Sequence, residues 1–341
     1  MRTAAAALLL AACSDRAPTP AFHASGFPEH ISDWGVLSTH DGVLELSQDA
    51  IPFDLATPLF SDYALKLRTI TLPEGTTATY SADGAFDLPV GTIISKTFYY
   101  PITAEGAVAY GEERTATDGV MALGGIRLIE TRILARRAEA WIALPYVWNA
   151  EQTEATLKRA GAIVPLTLHR PDGREEAFNY LVPNTNECAG CHATNATTRA
   201  ILPIGLKARH LNKPSTFAPG FNQLDWWIAA GLLDAATIPP SPAGGRGAGG
   251  EGRSSEQYSP HRESADAYST LSRVRVWVTA AFPRNAVWGD ESFSIEARAR
   301  AYLDANCSHC HSDVGPADTS GLDLRPSAPL GPKFGLCKTP I

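Results

Sequence analysis

The apolar residues of the first half of the chain come in short runs. "KLRTITL" (66–72), "GTIISKTFYY" (91–100), "IRLIETRILAR" (126–136) and "AEAWIALPYVW" (138–148) are rich in β-branched and aromatic residues. Polar turn signals such as Pro73-Glu74-Gly75 and Ala82-Asp83-Gly84 separate them. Runs of this length and composition predict strands broken by turns. One more polar stretch, "NAEQTEATLKRAG" (149–161), predicts a helix, with Asn149 as N-cap and Gly161 as its stop. Residues 30–180 therefore predict a β-rich, sandwich-like domain carrying a helix.

Past residue 180 the pattern changes to helical spacing. "NQLDWWIAAGLL" (222–233) places Leu224, Trp227 and Ile228 on one face behind an Asn222 cap, and "IEARARAYLDANC" (295–307) does the same with Ile295, Ala299, Tyr302 and Leu303. Between these helices residues 239–290, which include "PPSPAGGRGAGGEGRSSEQYSPHRESADAYS", hold too much Gly, Ser, Pro and charge to bury a core and predict a disordered insertion. The expected architecture is mixed α and β: a β-rich domain, then mainly helical modules at 181–238 and 291–341.

Composition narrows the class. The chain has 341 residues, 44% hydrophobic and 19% charged, as in a soluble globular protein with room for about two domains. Net charge is −7 with no basic run, which argues against a nucleic-acid partner. No apolar stretch reaches the ~18 residues of a membrane span. At the N-terminus Arg2 precedes an uncharged run, Ala4 to Ala12, and then Cys13: the form of a short export signal occupying residues 1–13. Leu10-Ala11-Ala12-Cys13 resembles a bacterial lipobox, whose cysteine is lipidated; residues 14–29 then read as a flexible tether.

Four of the six cysteines fall in one repeated pattern, Cys188-Ala189-Gly190-Cys191-His192 and Cys307-Ser308-His309-Cys310-His311. A c-type haem needs two thiols spaced to add across its two vinyl groups and an adjacent imidazole to ligate the iron. The repeated pattern in an exported chain predicts two covalently bound haem c groups, with His192 and His311 as proximal ligands and His309 pointing away. The competing readings are a zinc cage built from the two cysteine pairs and a redox-active dithiol. Met1 and Met121 are the only methionines. The sixth ligand of the first iron is therefore left among His210, His169 and Met121, or the iron is open. The segment after His311 carries no Met or His and is broken by Pro and Gly, which predicts an incomplete second module, with Cys337 a conceivable ligand.

The residues also resemble a known family, the di-haem c-type cytochrome lipoproteins of proteobacteria. The stretches that carry the likeness include "IPFDLATPLFSDYALKLR" (51–68), "LPVGTIISKTFYY" (88–100), "YVWNAEQTEA" (146–155), "VPNTNECAGCHA" (182–193), "PIGLKARHLN" (203–212), "ARAYLDANCSHCH" (299–311) and "SGLDL" (320–324). They span most of residues 30–235 and 295–337. The resemblance implies electron transfer at the periplasmic face of a membrane, between periplasmic redox proteins, with haem attached at Cys188, Cys191 and His192 and at Cys307, Cys310 and His311. In that family the position of His210 usually holds an uncharged polar residue. Two alternatives stay open: a di-haem peroxidase-like oxidoreductase with one open iron, and a ligand-binding β domain with accessory haems. Asp62, Lys66, Arg68 and Lys96 are polar candidates in the β-rich part, and no residue is assigned a catalytic role.

Overall fold

The computed structural model describes residues 17–238 and 282–338. Cys13 and the expected export signal, with residues 239–281 of the expected insertion, lie outside the described residues.

A 3₁₀ turn, Ile31–Trp34, leads into a hairpin of β1 (Leu37–His40) and β2 (Val43–Leu46). Strands β3 (Ile51–Pro52), β4 (Leu65–Thr71) and β5 (Ile93–Pro101) begin the main sheet. Two short strands, β6 (Val108–Ala109) and β7 (Val120–Ala122), leave it before β8 (Ile126–Arg136), β9 (Trp141–Trp148) and β10 (Ala155–Leu157) complete it. A hairpin of β11 (Ala162–His169) and β12 (Glu175–Val182) follows. The main sheet is antiparallel, in the order β10-β9-β8-β5-β4-β3. β7 joins the β1–β2 hairpin, and β6 pairs in parallel with β11.

The main strands are apolar along most of their length because both faces of the sheet are covered. On one face Leu67, Ile133 and Tyr146 share a core with Leu37, Leu44 and Met121 of the β1-β2-β7 sheet, a sandwich-like packing. The other face is divided. At one end Ile70, Ile94 and Leu134 pack with Leu206, Leu211 and Trp227. At the other Phe98 and Ile129 pack with Leu166 and Tyr180 from the β11–β12 hairpin. Between these two cores the same face carries charged side chains, and this gap is where the site lies.

The molecule is mixed but strand-rich, with its strands in the N-terminal region. The helix expected at 149–161 does not form. Asn149 Oδ1 accepts from Thr153 N at 2.9 Å to close a turn, Gln152 takes φ +60°, and Ala155–Leu157 pairs with β9 instead. Gln152 explains the preference: its amide accepts from Leu128 N and donates to Leu128 O, in the manner of a neighbouring strand.

After β12 the helices are short: α1 (Thr185–His192), α2 (Ala208–Leu211), α3 (Gln223–Ala229) and α4 (Ile295–Asn306). Irregular chain dominates between and after them, so the mainly helical build expected there is not seen; Pro203, Gly205, Pro214, Pro219 and Gly220 keep interrupting it. Asn222 does cap α3, accepting from Leu224 N at 2.9 Å. The expected face of α4 is displaced. Ile295 is 79% exposed and Ala299 is exposed, whereas Ala301 and Asp304 are buried. A buried carboxylate with partners, rather than an apolar stripe, decides which side of α4 turns inward.

These later segments are built onto the main sheet. Phe86 N donates to Leu206 O and Ala78 N to Leu232 O. Residues 282–290, assigned from sequence to the disordered insertion, are packed: Phe282 and Ala286 are buried, and Thr57 donates to Ala286 O. The stretch read as a tether is likewise held from Ala21 onward, by Ala21 N to Trp34 O and by Arg137 donating to the carbonyls of His23 and Gly26.

Candidate functional site

The first cysteine motif forms α1 because its N-terminus is fully capped. Asn184 Oδ1 accepts from Asn186 N and Glu187 N, and the Glu187 carboxylate accepts from Asn184 N at 2.8 Å. Cys188 is buried, while Cys191, three residues on, is exposed. His192 closes the helix with Nδ1 2.7 Å from the carbonyl of Leu202. A carbonyl only accepts, so Nδ1 bears the hydrogen and Nε2 keeps its lone pair. Burial pushes the His192 pKa down to about 4, so the ring is neutral near pH 7.

The second motif follows α4 directly. Its last histidine has the same tautomer for a similar reason. The Ser320 hydroxyl gives its hydrogen to Ala317 O at 2.6 Å, and so accepts from His311 Nδ1–H at 3.0 Å, leaving Nε2 free. The two motifs touch: the Cys310 thiol donates to Gly190 O at 3.3 Å. Burial raises the thiol pKa of Cys188, Cys307 and Cys310. That is the opposite of what a reactive dithiol requires. The five described cysteines form no disulfide, and among the described residues no three His, Cys, Asp or Glu side chains come together to hold a metal ion. A four-thiol zinc cage is therefore not assembled.

Between the main sheet and these motifs lies a cavity with about 1230 Å³ of empty space, counted to its open mouth. Cys188, Cys191 and His192 of α1 form one wall, and Arg68, Ile94, Lys96 and Arg132 of the sheet another. The 203–210 segment contributes Ile204, Leu206, Lys207 and His210, and the far side is Asp304, Ala305 and His309. Thus the inner histidine of the second motif, expected to point away, faces the cavity of the first. His309 is 6% exposed and makes no hydrogen bond to any described residue; burial lowers its pKa to about 4.

His210 lines the cavity too, but it belongs to a polar network. Asp304, with its side chain fully buried, takes Arg209 Nε at 2.6 Å and Nη2 at 3.0 Å, Asn285 Nδ2 at 2.8 Å and Ser308 Oγ at 2.9 Å. His210 Nε2 lies 3.4 Å from the same carboxylate, and Asn285 Nδ2 lies 3.4 Å from His210 Nδ1. Both ring nitrogens of His210 are thereby engaged. Burial alone would raise the Asp304 carboxyl, but its partners, the Arg209 hydrogen bond and charge foremost and Asn285 with them, together outweigh burial and hold the group well below the usual carboxylate range. Burial pushes the His210 pKa down to about 4 against the pull of Asp304.

The remaining sequence candidates are elsewhere. Met121 is buried in the core between the two sheets, and His169 ends β11 opposite Glu175. Neither lines the cavity, and nor does Cys337, which is exposed at φ +55°. Lys66 donates to Ala64 O, and the backbone carbonyl of Asp62 accepts from Tyr100. Sequence reasoning passed over Arg132, Asn285 and Asp304, and expected His309 to point away from the site that it faces. For Arg132 a signal existed, a charge in the middle of a run otherwise fit for a core. No helix among the described residues is long and apolar enough to cross a membrane. Compared with protein-family models, curated proteins and solved structures, the chain matches none.

Proposed function

We propose that this chain is a di-haem c-type cytochrome that passes single electrons between periplasmic redox partners. The observation that carries the reading is the cavity in which Cys188, Cys191 and His192 face one space, walled by apolar residues with cations on the sheet side, with His192 Nε2 free and Nδ1 anchored. Such an outer hydrogen bond fixes ring orientation and raises the basicity of a ligating imidazole. The donor set suits haem: two thiols at the spacing for thioether bonds, a neutral imidazole, and walls of Leu, Ile and Phe. At the second motif Ser320 positions His311 in the same way.

When bound, the haem irons supply one-electron redox chemistry. The protein's part is to hold and orient. Cys188 and Cys191 would tether one group and Cys307 and Cys310 the other, while His192 and His311 would ligate the irons. Leu206, Ile94 and Phe53 would exclude water from the first. Export and lipid anchoring through Cys13 belong to the same proposal, on the strength of Leu10-Ala11-Ala12-Cys13 closing a short signal. Substituting Cys13→Ser should release the protein into the soluble periplasmic fraction; wild type already soluble there would sink the anchoring claim.

The haem claim is tested on protein made with c-type maturation machinery. Mass spectrometry of the denatured chain should show two haem additions, one of them lost in Cys188→Ala/Cys191→Ala. Haem that leaves the intact protein in acid acetone would overturn it.

A further inference from the structure

The face of the main sheet that looks into the cavity carries a row of cations. Strand register sets Arg68 of β4 opposite Lys96 of β5, and Lys96 opposite Arg132 of β8. The flanking positions on this face, Ile94 and Phe98 along β5, belong to the two cores on either side. An apolar residue at 96 would simply join them, so the charge is not there for the fold.

The three cations differ in how they are neutralised. Arg132 is held by Glu130, with Nε at 2.8 Å and Nη2 at 2.5 Å from its two oxygens, and Tyr180 adds a hydrogen bond to the same carboxylate. Arg68 is only 4% exposed; its Nη1 lies 3.8 Å from Glu113, and its Nη2 is buried with no hydrogen-bond partner. Lys96 makes no hydrogen bond or ion pair with any described residue. Its ammonium sits 4.9 Å from the centre of the Phe98 ring, and burial holds its pKa well below the usual lysine value. The two acidic residues that line the cavity are committed: Glu187 to the cap of α1, and Asp304 to Arg209. Arg68 thus has one distant counter-charge, and Lys96, half-buried at the cavity wall, has none; cations taken out of water with so little neutralisation cost several kcal/mol unless an anion joins them.

We propose that Arg68 and Lys96 form an anion site inside the cavity, which takes a carboxylate of a ligand that is otherwise apolar. One guanidinium nitrogen and one ammonium offer two donors to the two oxygens of a carboxylate, in the charge-assisted geometry that favours such pairs. The surrounding Phe53, Leu55, Ile94 and Leu206 take the apolar body. The carboxylate has two sources. It is a propionate of the haem held at Cys188 and Cys191, in which case the site rests on the function proposed above, or it belongs to a free organic acid.

The as-isolated full chain distinguishes them. Propionate bending bands in the resonance Raman spectrum and the midpoint potential are measured for wild type, Arg68→Gln and Lys96→Gln, alongside calorimetric titration with octanoate and with octanamide. For a propionate, both variants shift the bands and lower the potential of the first haem, and octanoate does not bind. For a free acid, octanoate binds on the order of tenfold tighter than octanamide, each variant abolishes that advantage, and the Raman bands stay put. Lys96→Arg, which keeps the charge, and Lys66→Gln, whose ammonium already serves Ala64, should resemble wild type in either case. Variants that move neither the haem bands nor octanoate binding overturn the anion site. A protein without thioether-bound haem sinks the cytochrome reading alone and leaves the octanoate titration as the test.

Discussion

Two histidines in one cavity show how far a residue's identity falls short of its role. His210 and His309 are both buried, both neutral near pH 7, and both face the space beside Cys188 and His192. Only His309 has ring nitrogens without a described partner; those of His210 are taken by Asp304 and Asn285. On the haem reading His309→Ala should therefore turn one haem from low-spin to high-spin, seen in the Soret and charge-transfer bands and in electron paramagnetic resonance. His210→Ala should leave the spin state alone and lower the unfolding midpoint. The reverse pattern would show that the network opens to release His210. The spacing of CxxCH singles out six residues in the sequence because the pattern is local. His309 was not legible, because what it faces is set by the contact of two motifs more than a hundred residues apart.

Elements were legible where composition and tertiary demand agree. Strand β8 runs from Ile126 to Arg136 as expected from its β-branched run. The 149–161 segment failed because helix-forming side chains count for less than a pairing edge on β9 and the Gln152 amide on Leu128. For α4 the inward side is chosen by Asp304, which joins that helix to α2 and to Asn285. Replacing Asp304 by Asn leaves Arg209 without its buried counter-charge and should cost about 3–5 kcal/mol, measured by denaturant unfolding near pH 7. The folded carboxyl sits below its ordinary value, so its stabilisation is present above about pH 3.9 and is lost as pH falls further. Acid unfolding of wild type should steepen in that range, and the Asn variant should lack this component. Equal slopes would place the acid sensitivity elsewhere.

At the scale of the molecule, one sheet organises everything. Its first face makes a sandwich with β1-β2-β7, and its second hosts two cores with a charged, hollow gap between them. The strand-rich half was legible from turn signals. The closeness of the two motifs was not, since packing of the later segments onto the sheet brings them together. If both motifs carry haem, potentiometric titration should fit two coupled one-electron steps, and Cys188→Ala/Cys191→Ala should move the potential of the remaining haem. Two independent steps, untouched by that change, would mean that the groups lie further apart than their motifs do.

The contact between Cys310 and Gly190 has a consequence for assembly in time. It depends on a thiol hydrogen, with Sγ 3.3 Å from the carbonyl oxygen. Forming a thioether at Cys310 consumes that hydrogen, and the Gly190 carbonyl in the middle of the first motif loses its donor. On the haem reading this pairing belongs to the chain before loading, as a clasp that loading the second motif would undo. On that reading each molecule would pass the step once and in one direction, since a thioether does not give the hydrogen back, and the first motif would lose a contact when the second is filled.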